Sequence, residues 1–203
     1  LGGETRNVTI MFCDIRNFTA MSESMSPEKV VSLLNKYFTE MEKCISKNHG
    51  IINKYIGDAV MGIFGAPVKS ENHALDAFNA AMEMRAALES LNKKLEGSDF
   101  PQIAFGIGLH SGDVLAGNIG AENRIEYTVI GDTVNTASRI ESLCKSYQKD
   151  LLMSESTCQL ILDSVINENS TGQNDFVFVD EADIRGKTEK VKLFTKDFNL
   201  LKV

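Results

Sequence analysis

The chain has 203 residues, 43% of them hydrophobic, and a formal net charge of −7. That length predicts one globular domain with enough chain to bury a substantial core. The acidic balance excludes loose electrostatic binding to DNA or RNA as a main activity, because that needs a basic surface.

The elements follow in chain order. Val8–Asp14 alternates Val8, Ile10 and Phe12 against Thr9, Met11 and Cys13, which predicts a strand. Ser26-Pro27-Glu28 opens a helix, with Ser26 as N-cap and Pro27 at the first helical position. Val30, Leu34, Tyr37, Met41 and Ile45 form its apolar stripe, and Gly50 is expected to stop it. Ile51–Ile56 and Ala59–Phe64 read as two strands joined by the two-residue loop Gly57-Asp58. A second long helix covers about Glu71 to Leu95, with Ala74, Phe78, Ala81, Met84, Leu88, Leu91 and Leu95 along one side. Ile103–Leu109 and Val114–Gly120 are expected as separate strands around His110-Ser111-Gly112-Asp113. Ile125–Ile130 is another strand, and Asp132 is placed as the cap of a helix running to about Ser146. A strand, a short helix near Ser154–Asp163, a polar loop at Asn167–Asp175 and a final hairpin from Phe176 to Phe198 complete the chain. The core order is β-α-β-β-α-β, the ferredoxin-like α+β arrangement, an antiparallel sheet with both helices on one face, here with a C-terminal extension.

Several features carry little chemistry. The cysteines Cys13, Cys44, Cys144 and Cys158 form no CxxC pair, and His49, His73 and His110 are scattered, so a zinc site is not expected. Reduced thiols and the absence of a visible signal peptide predict a cytoplasmic domain. The triplets at Asn7, Asn17 and Asn169 match a glycosylation pattern short enough to arise by chance. The longest apolar run, near Ala59 to Val68, is about half of what a membrane helix requires. The chain opens on Leu1 rather than Met, which predicts a single domain, 1–203, excised from a longer protein whose membrane or regulatory parts lie elsewhere. Gly106-Ile107-Gly108-Leu109-His110-Ser111-Gly112 has the wrong spacing for a dinucleotide fingerprint, and its glycines read as strand positions needing close approach. The methionines, Met21, Met25, Met41, Met61, Met82 and Met84 among them, read as core filler.

Two carboxylates stand out. Asp14 ends an apolar strand, and Asp58 sits at a hairpin tip. An ionised oxygen is costly beside a buried strand. In a split-βαβ sheet the end of the first strand lies beside the tip of the central hairpin, so the two carboxylates would repel unless a cation lay between them. Taken singly, each has a plain alternative as a solvated turn residue. A third block runs from Glu126 to Glu141. In it Asn135 and Arg139 are four residues apart and share one helical face. A guanidinium there has paired donors suited to a phosphate, although a solvated helical face would show the same residues.

The blocks Phe12–Thr19, Lys54–Ala59 and Glu126–Glu141, in this order and spacing, resemble the catalytic domains of class III adenylate and guanylate cyclases from about Arg6 to Phe194. The resemblance implies the class III nucleotidyl cyclase fold and a division of labour across a homodimer. It assigns two Mg²⁺ ions to Asp14 and Asp58 with the backbone carbonyl of Ile15, Mn²⁺ substituting, to activate the ATP 3′-hydroxyl and clamp the triphosphate. It assigns Lys54 and Thr128 to the adenine, and Asn135 and Arg139 to the ribose and the developing phosphate charge. Lys187 matches a triphosphate-binding lysine. Related guanylate cyclases carry an acidic residue where Lys54 stands. Many adenylate cyclases carry Asp where this chain has Thr128, and the threonine is typical of a bacterial-type subgroup, some members of which respond to bicarbonate. The implied activity is conversion of Mg-ATP to 3′,5′-cyclic AMP and pyrophosphate. The alternatives are a guanylate cyclase, or a non-catalytic nucleotide-binding or dimerisation module. No Gly-Gly-Asp-Glu-Phe signature of a diguanylate cyclase is present.

Overall fold

In a computed structural model, which describes residues 3–121, 123–167 and 175–196, eight strands form one sheet. The order along it is β2 (Gly50–Ile56), β3 (Ala59–Phe64), β1 (Gly3–Ile15), β4 (Phe105–Ala121), β6 (Leu151–Ser154), β8 (Val191–Lys196) and β7 (Phe176–Ala182). β5 (Arg124–Ile130) pairs with the far end of β4. The helices are α1 (Phe18–Glu23), α2 (Pro27–Lys47), α3 (His73–Leu95), α4 (Asp132–Ser146) and α5 (Glu155–Asn167). The sheet is antiparallel except where β4 and β6 run parallel.

The alternation along β1 builds two layers. Met11, Cys13 and Ile15 pack with residues of α2 and α3 in the larger core, alongside Leu33, Tyr37, Phe78 and Met84. Val8 and Ile10 belong to a second core on the other face, with Ala137 of α4, and Phe12 packs against it. The expected pair, α2 and α3, therefore shares one face, while α4 covers the opposite one. Ser26 accepts a hydrogen bond from the Lys29 amide at 3.4 Å and Pro27 begins α2, as its sequence dictates. The expected stripe of α3 is buried from Ala74 to Leu95.

Three local expectations are corrected. The residues around His110 to Asp113 do not form a turn. β1 begins at Gly3, so Ile10 pairs with His110 and Asn7 with Asp113, and the ladder carries β4 through without a break. Gly50 does not stop α2: Asn48 follows its last turn, His49 takes the positive φ of 61°, and Gly50 starts β2. Gly50 is needed for space, since a Cβ there would lie 2.4 Å from the Phe64 ring. Asp132 is the first helical residue of α4 rather than its cap, and its carboxylate is engaged elsewhere. Residues 168–174 of the expected polar loop, the Asn169 triplet and the end of the hairpin at Phe198 lie outside the described residues.

The glycines of β4 admit α4. A Cβ on Gly108 would fall 2.3 Å from the Glu141 amide nitrogen, and one on Gly106 would fall 2.8 Å from Glu141 Oε1. The helix thus rests on strand backbone, which fixes its position over the end of β1. All four cysteines are free and buried, and no described helix is long and apolar enough to cross a membrane.

Candidate active site

Three groups of expected residues assemble at the ends of these elements. The first is the carboxylate pair. Cys13 pairs with Val60, so the hairpin turn places Asp58 beside the last residues of β1, where Asp14 lies. Burial, then a hydrogen bond with the Asp58 carboxyl and repulsion from its charge, push Asp14 up to about 7, against the Ile15 amide and Arg16, which favour the ionised form. Asp14 Oδ1 is buried with no hydrogen-bond partner, the one such side-chain atom among the described residues. An orphaned carboxylate oxygen facing a second carboxylate is a site shaped for a hard cation, and an all-oxygen donor set suits Mg²⁺ or Mn²⁺. The residues therefore fit the metal that the fold implies, although no cluster of three or more His, Cys, Asp or Glu ligands occurs among the described residues. The two carboxylates open into a cleft of about 420 Å³ walled by residues 14–20 and by α4.

Sequence reasoning gave no role to two neighbours of this pair. Glu141 lines the same cleft, and burial followed by the Asp14 charge pushes it up to about 7. Arg16 donates from its backbone to Ala104 at 2.8 Å and from its guanidinium to the Lys149 carbonyl at 2.6 Å. Both residues stand in the quoted blocks, but only the seating of α4 over the end of β1 brings them together.

The second group gathers at the start of α4. Lys187 Nζ lies 2.5 Å from Asp132 Oδ2, and this hydrogen bond is the main reason the Asp132 carboxyl is lowered. Arg139 donates to the Arg185 carbonyl, and a Cβ on Gly186, at φ 88°, would meet its guanidinium at 3.2 Å. Asn135 is exposed on the same helix. Lys187 and Arg139 therefore share one corner, which their sequence separation does not reveal. His110 sits nearby on β4, pushed down to about 4 by burial and then by the Lys187 charge, so it is neutral at physiological pH and bonds Ser154 at 2.8 Å.

The third group joins Lys54 and Thr128. The β2–β3 register slips between Ile52 and Lys54, leaving Asn53 as an extra residue in a bulge. Asn53 Nδ2 donates to the Tyr127 carbonyl at 3.0 Å, and Thr128 Oγ1 donates to Asn53 Oδ1 at 3.2 Å. Lys54 is exposed and follows Asn53 directly in the chain. Apolar residues are exposed around this corner: Tyr55 and Ile56 on β2, and Leu115, Ile125 and Ile130 on the β4–β5 arm. No hydrogen bond or ion pair among the described residues links the carboxylate pair to the Arg139–Lys187 corner.

This fold is that of the class III nucleotide cyclase catalytic domains. Residues 3–196 match the family described as the adenylate and guanylate cyclase catalytic domain, and the chain belongs to that family. It is 44% identical over 156 residues to an adenylate cyclase of Anabaena cylindrica, covering 75% of this chain but only 30% of that protein. Among solved structures it resembles the adenylyl cyclase CyaB from P. aeruginosa, at 31% identity with a TM-score of 0.84, covering 97% of this chain and 96% of that one. It also resembles the guanylyl cyclase Cya2, at 31% identity with a TM-score of 0.81, covering 96% and 93%.

Proposed function

We propose that the chain is an adenylate cyclase acting as a homodimer, forming 3′,5′-cyclic AMP and pyrophosphate from ATP at two equivalent sites between protomers. The observation that carries this reading is the carboxylate pair with its orphaned Asp14 oxygen, present in the same chain as a separate cationic corner at Arg139 and Lys187. Two such chains, related by a two-fold axis, can each complete what the other lacks. The exposed apolar residues beside Lys54 and Thr128 suit burial against a second copy.

Magnesium ions held by Asp14, Asp58 and the Ile15 carbonyl would supply Lewis-acid activation of the ribose 3′-hydroxyl and neutralisation of the leaving pyrophosphate. The remaining work falls to the chain itself. The 3′-oxygen attacks the α-phosphorus, its proton passes to water, and the bond from that phosphorus to the bridging oxygen breaks. Asn135 orients the ribose, and the Arg139 guanidinium meets the charge that grows on the α-phosphate. In the free chain Arg139 is bound to the Arg185 carbonyl and Lys187 to Asp132, so both cations exchange a protein oxygen for phosphate oxygens when substrate arrives. Lys54 donates to a purine ring nitrogen, and Thr128 accepts from the adenine amino group.

The similarity to a guanylyl cyclase makes GTP the second reading. Purified protein given ATP or GTP with Mg²⁺ or Mn²⁺ separates the two by product, and bicarbonate added to the same assay tests for stimulation. A chain that binds ATP but yields no cyclic nucleotide would be a binding module instead. Asp14→Ala and Arg139→Ala, each nearly inactive alone, should regain activity when mixed, because one hybrid site is then intact. Failure to regain activity would sink the shared-site arrangement.

A further inference from the structure

Resting on that reading of the base site, we propose that Asn53 is a positioning residue that sets the base preference by fixing the direction of the Thr128 hydroxyl proton. A threonine hydroxyl is ambiguous. It has one proton to give and lone pairs to accept with, so it can serve the amino group of adenine or the carbonyl oxygen at the same position of guanine. Something else must settle which role it plays.

The Asn53 amide settles it here. A backbone carbonyl only accepts, so the amide end facing Tyr127 O, 3.0 Å away, is the NH₂ group. The opposite end, facing Thr128 Oγ1 at 3.2 Å, is then the amide oxygen, which can only accept. Thr128 gives its single proton to Asn53 Oδ1, and only lone pairs remain for a base. Those lone pairs match an adenine amino group and are repelled by a guanine carbonyl oxygen. The tie also holds two distant strands together, β2 and β5. Its consequence for chemistry is that the hydroxyl cannot turn without breaking it. Asn53 stands on the same face as Ile51, two residues before it, and Ile51 and Tyr127 pack against the same core, so Asn53 reaches β5 from that face.

The experiment compares kcat/KM for ATP, GTP and ITP in the parent and in Asn53→Ala, Asn53→Asp and Thr128→Val. ITP carries the guanine-type oxygen and ring N–H without the second amino group. The ring nitrogen facing Lys54 changes equally for parent and variants, so a change in the ATP-to-ITP ratio on mutating Asn53 reads the Thr128 contact. In Asn53→Ala the Thr128 proton is released, and the ratio of ATP to ITP and GTP should fall about tenfold, the worth of one redirected hydrogen bond. Asn53→Asp keeps an acceptor opposite Thr128 and should retain the parent ratio even if its overall rate drops. In Thr128→Val the ratio should also fall, and adding Asn53→Ala should change it no further. Competition of ATP, GTP and ITP against a fluorescent ATP analogue gives the same ratios as binding constants, and serves for any variant with weak turnover. If Thr128→Val leaves the ratio unchanged, the assignment of Thr128 to the base is wrong. If Thr128→Val lowers the ratio while Asn53→Ala changes all three nucleotides alike, Asn53 is only a tie between strands and the inference is overturned.

Discussion

Asp14→Asn should make the metal-free protein more stable while abolishing cyclase activity. Asp14 is raised from an ordinary 3.8 to about 7 by burial and by Asp58. Roughly three units at ~1.4 kcal/mol each would give ~4 kcal/mol. The carboxyl is only about half withdrawn from water, so solvent screening reduces this to about 2 kcal/mol. The sign follows from proton counting. The native chain keeps a proton on Asp14 that the unfolded chain releases. Stability from this group is therefore complete below about pH 4 and is lost as pH rises through about 7. An asparagine is neutral at every pH and removes that loss. In EDTA at pH 7.5 the variant should melt several degrees above the parent. The gap should narrow as pH falls toward 4.5, and added Mg²⁺ should raise the melting temperature of the parent but not of the variant. A variant that melts at or below the parent temperature at pH 7.5, or a gap that does not change with pH, would refute the reasoning.

Gly108→Ala should lose both stability, by about 3 kcal/mol, and activity, because its Cβ would meet the backbone of α4 and displace Asn135 and Arg139 together; thermal melts and product formation read the two effects, and an unchanged melting temperature would show that the helix does not rest there. Lys187→Ala should raise KM for ATP more than it lowers kcat, whereas Asp132→Asn, which frees Lys187 from its partner, should lower KM; equal shifts in the same direction would remove Lys187 from the triphosphate. The four thiols, all buried and all raised by burial, with Cys44 pushed up to about 11 and Cys144 and Cys158 to about 12, should be inert to a disulfide reagent at pH 8 and react fully only after denaturation.

Residues whose chemistry contradicts their local surroundings were legible in the sequence. Asp14 and Asp58 are carboxylates at strand ends, and an end beside a hairpin tip follows from the βαββαβ order. Ser26-Pro27 and the stripe of α3 were legible because capping and periodicity are local. The glycines at 106 and 108 announced a close approach without saying what approaches. Other features depend on distant pairing. Gly112-Asp113 has turn composition, yet the early start of β1 supplies a partner strand, and Asn7 Nδ2 even bonds Asp113 Oδ1 at 2.8 Å. Glu141 and Arg16 enter the site only because α4 lies against β4 backbone. Asn53 was invisible because its partners, the Tyr127 carbonyl and the Thr128 hydroxyl, lie 74 and 75 residues away on β5.

The two-sided pattern of β1 limits how this domain can change over time. Cys13 belongs to the larger core while its neighbour Asp14 faces the cleft, and each next residue switches sides. Point substitutions alter one side at a time and can be absorbed by nearby packing. Gaining or losing one residue between Thr9 and Ile15 would instead exchange the two sides, pressing a carboxylate into hydrocarbon and leaving a thiol in the cleft. Descendants of this chain can therefore differ in length at the turns between elements, while the spacing from Val8 to Asp14 should be inherited unaltered wherever activity is.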